Sequence, residues 1–525
     1  MTITAVCRYW RDICVSTPVL WSHLIDDDTL QLQRLVLMRH PYMPLTISLN
    51  CDVSRNIRML SDPLDLRCNV LGWVSCMHHV ITQIERYPLS GAHLEKLTLT
   101  GNPTCPEHHE FRTPRPVEGM TLFRNDTPHL RSVSIVDLSW VPTNHFSTIT
   151  QLLISRCPWH NPVATIVNLL RNTPQLVDLV LSGMHPRLPA EASIREGTEK
   201  ARLHSLRRLA LRNVGPRVIA PLLSELDMAS QCVIVMSDFG EFHSIPFRDL
   251  RRDISHGLPE CLSGFALMQP TIMHLRLFEP ASIADRDQPN FTLSIAAVNE
   301  HAGVLLRDKH VLPTGLVYEF PTTVFQLSRL QDLCCLDTRN FSTADPWPSR
   351  MWSSILPELT ATKNLTVFES SLPHITQSLN YIDWAAPLCP HLARITVLLP
   401  HKAVRIDEVM LELVSLRERM HFPHVTIGYL PEYTGMRPSQ SEQDCHFDSV
   451  EYLHLDKVRP VVPPWPDHSR LPDMPPAYWP PFEQWSSNMV PDTRVIRTTR
   501  FDRFGRAIDD DSLRGWGSIG PGTRA

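Results

Sequence analysis

The chain is organised by a recurring hexad, apolar-x-x-apolar-x-apolar. Copies start at Leu94 (Leu94-Glu95-Lys96-Leu97-Thr98-Leu99), Leu130, Ile149, Leu176 and Leu206. Weaker copies start at Ile272, Leu330, Leu392 and Val450, with a fragment at Leu365 to Phe368. Starts at 94, 130, 149, 176 and 206 lie 36, 19, 27 and 30 residues apart, and the later gaps reach 66. The hexad predicts a short strand, because side chains alternate along extended backbone: positions four and six share one face, positions three and five the other.

Between the hexads, apolar residues recur at helical spacing. Val163, Ile166, Val167 and Leu170 share a face that stops at Asn172-Thr173-Pro174. Val218, Ile219, Leu222, Leu223 and Leu226 follow Pro216, Trp352, Ile355, Leu356 and Leu359 form another face, and Val409, Met410, Leu413 and Val414 belong to a helix ending near Met420. Strand and helix in alternation predict an α/β fold with parallel strands, a leucine-rich-repeat-like solenoid (arc or horseshoe). Each unit leaves an apolar side open until the next stacks on it, so stability comes from neighbours.

With hexad positions one, four and six directed to the core, positions three and five make the outward strand face. They are Lys96 and Thr98, Ser132 and Ser134, Asp178 and Val180, Arg208 and Ala210, His274 and Arg276, Asp332 and Cys334, Arg394 and Thr396, Tyr452 and His454. Both charges mix there with small and aromatic groups, which suits a protein partner better than one small anion.

Composition narrows the picture. A net charge of −5 with both signs interspersed offers no electrostatic footprint for nucleic acid. The 13 cysteines are scattered without a framework, no apolar segment of signal-peptide type follows Met1, and no apolar run approaches the ~18 residues of a membrane span. The expectation is a cytoplasmic or nuclear protein with no membrane or nucleic-acid partner.

Chemistry-bearing motifs are sparse. No Gly-x-Ser-x-Gly or His-Glu-x-x-His occurs, and glycine numbers only 19, so no cofactor and no catalytic residue is expected. Cys105-Pro106-Glu107-His108-His109 offers zinc-type ligands but lacks a matching second cluster and sits among prolines, so it reads as a surface loop. Cys334 and Cys335, adjacent in a strand, should point to opposite faces. His78 and His79, in a predicted helix, diverge by about 100° and do not share an ion.

Residues 101 to 128, 183 to 202 and 279 to 290 read as loops. From residue 458 composition shifts: Pro460, Pro463, Pro464, Pro466, Pro472, Pro475, Pro476, Pro480 and Pro481 fall within 22 residues and alternate with Trp465, Trp479, Phe482 and Trp485. Proline excludes helix and central strand. The segment is either a strap over the last repeat or a ligand for proline-binding modules, and the four large aromatics favour the strap.

At the N-terminus Val6-Cys7-Arg8-Tyr9-Trp10-Arg11-Asp12-Ile13 followed by Ser16-Thr17-Pro18-Val19-Leu20-Trp21 predicts two short helices joined by a turn. Val6, Trp10, Ile13 and Cys14 share an apolar face, and Thr17-Pro18 reads as a helix restart that Leu20, Trp21 and Leu24 continue. Helices this short need a covering surface for two tryptophans, either the next domain or a partner. The pattern Val-Cys-Arg-x-Trp-Arg-Asp-Ile-x-x-Ser-Thr-Pro-x-Leu-Trp resembles helices two and three of the F-box in fungal, basidiomycete-type F-box proteins with degenerate leucine-rich repeats. That family's first helix has no counterpart before Val6 here, which leaves open a later start or a variant with half a module. The helix and strand at Leu32 to Met38 and Pro44 to Leu49, and joints such as Asn172-Thr173-Pro174-Gln175-Leu176 and Cys389-Pro390-His391-Leu392, are similar to the family's as well.

The resemblance implies a non-catalytic substrate-recognition subunit of an SCF-type cullin-RING ubiquitin ligase. Val6, Cys7, Trp10, Ile13, Leu20 and Trp21 would dock onto the Skp-type adaptor and so onto the cullin ligase subunits. The strand face, with Lys96, Thr98, Asp178, Arg208, His274, Arg276, Asp332, Arg394, Thr396, Tyr452 and His454 as candidate contacts, would take a protein substrate of unstated identity. The other reading is a ligase-independent protein-interaction scaffold. The domain expectation is a partial F-box at 1–28, a repeat array at 29–457, a Pro/aromatic strap or linker at 458–488 and a disordered tail at 489–525.

Overall fold

The computed structural model describes residues 7–17, 23–25, 31, 44–50, 68–75, 91–101, 120–138, 140–159, 161–184, 199–237, 269–278, 292–308, 325–337, 346–380, 388–399, 406–429, 442–455, 457–458, 500–501 and 507–508. The chain divides into two compact units, Met1–Cys232 and Val233–Ala525. It is a mixed α/β protein whose strands are mostly parallel.

The first unit opens with α1 (Arg8–Ser16) and β1 (His23–Ile25). β2 (Leu45–Asn50), β3 (Cys68–Ser75), β4 (Lys96–Gly101), β5 (Ser132–Val136), β6 (Gln151–Ser155) and β7 (Asp178–Met184) follow, with α2 (Pro162–Arg171) between β6 and β7. β8 (Ala201–Leu203), β9 (Arg208–Val214), α3 (Pro216–Ser224) and β10 (Leu226–Met228) complete it. β1 to β7 and then β9 pair in chain order, all parallel, and β8 pairs with β10 in parallel beside them.

The hexads account for this stacking. Leu94, Leu130, Ile149, Leu176 and Leu206 at position one are all buried, and so are Leu97, Val133, Leu152, Leu179 and Leu209 at position four. Position six, from Leu99 through Ile135, Ile154 and Leu181 to Leu211, is buried in the same way. The register aligns these residues directly, so each methyl-rich layer lies against its equivalent one strand away, about 4.8 Å distant. α2 starts where expected: the Asn161 side chain accepts from Ala164 N at 3.1 Å, and Pro162 occupies the first turn. Its face Val163, Ile166, Val167 and Leu170 is buried.

Beyond position six the strands share one device. Asp137, Arg156, Gly183 and Asn213 follow Val136, Ser155, Ser182 and Arg212, which align along β5, β6, β7 and β9, and all have left-handed backbone, with φ between 51° and 62°; β7 and β9 pair again one residue later, at Met184 and Val214. The amide of Asp137 donates to Ser155 O at 2.9 Å and that of Arg156 to Ser182 O at 2.7 Å, so the chain turns without breaking the ladder.

The second unit contains β11 (Val233–Ser237), β12 (Ile272–Phe278), β13 (Thr292–Val298), β14 (Gly303–Asp308), β15 (Asp332–Asp337), β16 (Asn364–Phe368), β17 (Arg394–Leu399), β18 (His424–Tyr429) and β19 (Ser449–His454). Its strands pair in the order β11-β14-β13-β12-β15-β16-β17-β18-β19. The expectation of parallel strands throughout fails at β13, which is antiparallel to both β12 and β14. The link Asn299 to Ala302 is too short for a crossover. The Asn299 carboxamide accepts from His301 N (3.0 Å) and Ala302 N (2.9 Å) and closes a hairpin turn instead.

Outer helices α4 (Pro346–Ile355), α5 (Leu372–Ser378) and α6 (Ile406–Met420) lie between the later strands. α6 matches the periodicity, and α4 matches it at Trp352 and Ile355, beyond which Leu356 enters a 3-10 turn that Leu359 caps; α5, seven residues long with a proline in its first turn, carries too few apolar repeats to be read as a helix. Ser349 Oγ donates to Gln377 Oε1 at 2.7 Å between α4 and α5, and Thr376 Oγ1 donates to Glu412 Oε2 at 2.8 Å between α5 and α6.

One element departs from the reading of the N-terminus. The hydroxyls of Ser16 (3.1 Å) and Thr17 (2.7 Å) donate back to Ile13 O at the end of α1, and the helix expected from Pro18 lies, up to residue 22, outside the described residues. Leu24, placed on that second helix, belongs to β1, whose pairing with Thr46–Ser48 overrides local preference. Of the loops read at 101–128, 183–202 and 279–290, Gly101 closes β4, Leu122–Asn125 form a 3-10 turn, Gly183 and Met184 belong to β7, and Ala201 and Arg202 to β8. Residues 102–119, 185–198 and 279–290, the histidine pair His78 and His79, the helix at Leu32 to Met38 and the Cys105 to His109 cluster lie outside the described residues, as does the proline-rich segment after Val458. In the tail, Arg500–Phe501 pairs antiparallel with Ala507–Ile508.

Candidate functional site

The strand faces are built by register. In the first unit the first outward row runs Lys96, Ser132, Gln151, Asp178, Arg208, and the second Thr98, Ser134, Leu153, Val180, Ala210. Lys96 and Thr98 are exposed, but the face closes toward β9: Asp178 is 2 % exposed, and Val180 and Ala210 are buried. Asp178 and Arg208, selected as outward candidates, hold each other. Arg208 Nε bonds Asp178 Oδ1 and Arg208 Nη2 donates to Oδ2 at 2.8 Å, while Gln151 Nε2 reaches the same oxygen at 3.4 Å. A two-pronged ion pair with this little exposure positions the two strands, and its acid has little left to offer a ligand.

In the second unit the first row is Asp332, Asn364, Arg394, His424, Ser449, and the second His274, Cys334, Thr366, Thr396, Thr426, Glu451. Arg394 is exposed and Thr396 half-buried, whereas His274 is 1 % exposed. Arg276 stands beside Leu336 in the third row, and its side chain lies outside the described residues. Cys334 and Cys335 point to opposite sides as expected, Cys334 in the row of Thr366 and Cys335 in that of Val367, and both are buried.

Tyr452 and His454 are not on the outward face. Their register partners are Ile427 and Tyr429, on the core side, so the unit is Phe447-x-x-Val450-x-Tyr452, three residues earlier than the hexad starting at Val450. Phe447 sets this phase by stacking on Phe422 at 5.9 Å, and Phe422 opens an equivalent Phe422-x-x-Val425-x-Ile427 unit in β18. Outward positions on β19 are Glu451 and Leu453. Tyr452 donates to Asp444 Oδ1 at 2.8 Å, and the His454 ring packs on Tyr429 at 4.8 Å.

The far half of this face is apolar and covered. Cys334, Leu336, Phe368, Leu398, Leu455 and Val458 form one buried cluster, with Leu453 packed against it. The chain leaving β19 therefore folds back over the strand surface. Gly428 makes room for it: a Cβ there would meet Val458 Cγ2 at 2.8 Å, Leu398 Cδ2 at 2.9 Å and Leu455 Cδ2 at 3.1 Å.

Several side chains able to do chemistry are engaged or buried. Ser349 Oγ lies 3.4 Å from His374 Nδ1, but both residues are buried and the hydroxyl donates to Gln377, so the pair ties helices together. Burial pushes the thiols of Cys157, Cys232 and Cys389 up to about 12, which removes their nucleophilic thiolates at neutral pH. Burial also raises the carboxyl of Glu369, just after β16, to about 7, and its Oε2 has no hydrogen-bond partner. No signal in the sequence marks Glu369 as unusual. Among the described residues no three His, Cys, Asp or Glu side chains are grouped to hold a metal, and no helix is long and apolar enough to cross a membrane.

Of the N-terminal candidates, Cys7 is exposed ahead of α1, Trp10 lies within the helix with its side chain outside the described residues, and Ile13 is half-buried. Tyr9, beside Trp10, is 71 % exposed. Val6, Leu20 and Trp21 lie outside the described residues. No known protein family matches the chain, and no curated protein matches it in sequence.

Proposed function

We propose that this protein is a non-catalytic substrate receptor of an SCF-type cullin-RING ubiquitin ligase, built as an F-box remnant followed by irregular leucine-rich-repeat stacking. The observation that carries the reading is the conjunction of a helix bearing the Arg-x-Trp-Arg-Asp-Ile pattern directly after Cys7, α1, with a mostly parallel strand array whose outward rows stay polar at their N-terminal ends. In this reading α1 and the residues around it, Val6, Cys7, Trp10, Ile13, Leu20 and Trp21, meet the Skp-type adaptor. The strand rows hold a protein, and ubiquitin transfer is performed by other subunits in the cytoplasm or nucleus.

Exposure of Tyr9 fits a helix whose outer surface is available to a partner. Calorimetric titration of the chain with a Skp-type adaptor tests the proposal. Saturable binding that Trp10→Ala abolishes supports it, and absence of binding favours a ligase-independent interaction scaffold.

A further inference from the structure

In each unit the first outward row satisfies its own acid and leaves a cation. In the first unit Asp178 is taken by Arg208 and Gln151, and Lys96 at the other end of the row stays exposed without a side-chain partner among the described residues. In the second unit Asn364 Nδ2 donates to Asp332 Oδ1 at 2.5 Å, and His424 Nδ1 lies 2.9 Å from Ser449 Oγ. Both neighbours of Arg394 are thus engaged away from it. Arg394, central in the row and exposed, has no side-chain partner among the described residues.

A second exposed cation stands beside it, since Lys363 accepts the Arg394 amide through its carbonyl at 3.0 Å. No described acid forms an ion pair with Arg394; Asp332, hydrogen-bonded by the neutral Asn364 amide, stands two strands away in the same row. Asp448 lies 3.6 Å from Arg417, and Glu451 sits in the second row of β19, two strands from Arg394. Toward the other end of the strands Leu455 and Val458 already occupy the face, so its open part is the polar row that Arg394 centres.

We propose that Arg394 anchors a glutamate or aspartate side chain of an extended acidic segment in a partner protein, with Lys96 the corresponding anchor in the first unit. An extended chain suits a row of in-register positions. A guanidinium with its fork free matches a carboxylate in two-pronged geometry, a pairing that Arg supplies better than Lys. The inference rests on reading the strand rows as the recognition surface, and it names what they recognise.

The test is selection of a displayed random-peptide library on the full chain, on Arg394→Glu and on Arg329→Glu, an exposed cation outside the row. Wild type and Arg329→Glu are expected to enrich the same peptides with one required acidic position, and Arg394→Glu to lose that position or replace it by a basic one. A synthetic consensus peptide should then bind Arg394→Gln about tenfold more weakly, the loss of one charge-assisted contact of about 1.4 kcal/mol. Unfolding transitions coincident with wild type establish that the variants are folded. Equal consensus sequences from wild type and Arg394→Glu, a consensus without an acid, or no enrichment would each overturn the proposal. Adaptor titration of the same proteins separates the two readings: retained adaptor binding with no Arg394-dependent peptide overturns the anchor alone.

Discussion

Asp137 and Arg156 occupy equivalent positions at the ends of adjacent strands, share left-handed backbone at φ 53° and 52°, and join through a two-pronged ion pair of 2.9 Å and 2.7 Å. Left-handed backbone costs an ordinary residue roughly 1 kcal/mol or more. The ladder bonds to Ser155 O and Ser182 O hold it in place. The ion pair itself is exposed on the arginine side, so Arg156→Ala should cost at most about 1 kcal/mol.

Gly183, next in this series, has φ 62°, and a Cβ on it would lie 2.8 Å from Arg156 Cγ. Gly183→Ala should therefore destabilise by roughly 1–3 kcal/mol, from backbone strain and the clash together. In an Arg156→Ala background the clash disappears and only the strain remains. A double-mutant cycle in urea denaturation should show Gly183→Ala costing less there than in wild type; equal costs would contradict the contact.

Asp178 is buried against Arg208. Asp178→Ala leaves a guanidinium without its acid and should cost about 3–5 kcal/mol by chemical denaturation, whereas Arg208→Met with Asp178→Leu should recover most of that loss. A small effect of the single change would mean that solvent reaches the pair.

Glu369 links stability to pH. Its folded pKa of about 7 stands above its ordinary 4.5, so the native state holds the proton more tightly than the unfolded chain. Relative to Glu369→Gln, the wild type should be most stable below pH ~4.5, lose up to about 3 kcal/mol as pH rises to ~7, and stay level above that. Denaturation of both proteins across this window checks the sign, and a rising difference would refute the burial of the carboxyl.

Gly428→Ala should lift Leu455 and Val458 from the strand face, since the new Cβ meets the ends of their side chains. Trypsin cleavage after Lys457, an exposed residue between them, should then accelerate at temperatures where the wild type is resistant. Unchanged cleavage would show that the three side chains make way without releasing the segment.

Much of this architecture is legible locally. Burial of Leu97 and Leu99, and of the equivalent residues in β5, β6, β7 and β9, follows from period-two alternation alone. The helices at Pro162 and Pro216 follow from apolar spacing of three and four with a proline at the start, and the helix at Ile406 from the spacing alone. The same alternation marked Arg394 and Lys96 as outward-facing, and both are exposed.

Phase, pairing and cover required the folded chain. Val450-Glu451-Tyr452-Leu453-His454-Leu455 carries apolar groups at both parities, so either face could be core, and only Phe447 stacking on Phe422 decides it. Leu24 was read with helical neighbours, and the pairing of β1 with β2 overrode that reading. Asp178 and Arg208 are distant in sequence and read as two independent surface charges until register places them side by side. The sequence by itself determined which positions can be buried, because that depends on alternation over a few residues. Tertiary structure decided which of them are buried and against what, because that depends on contacts between segments that share no local pattern.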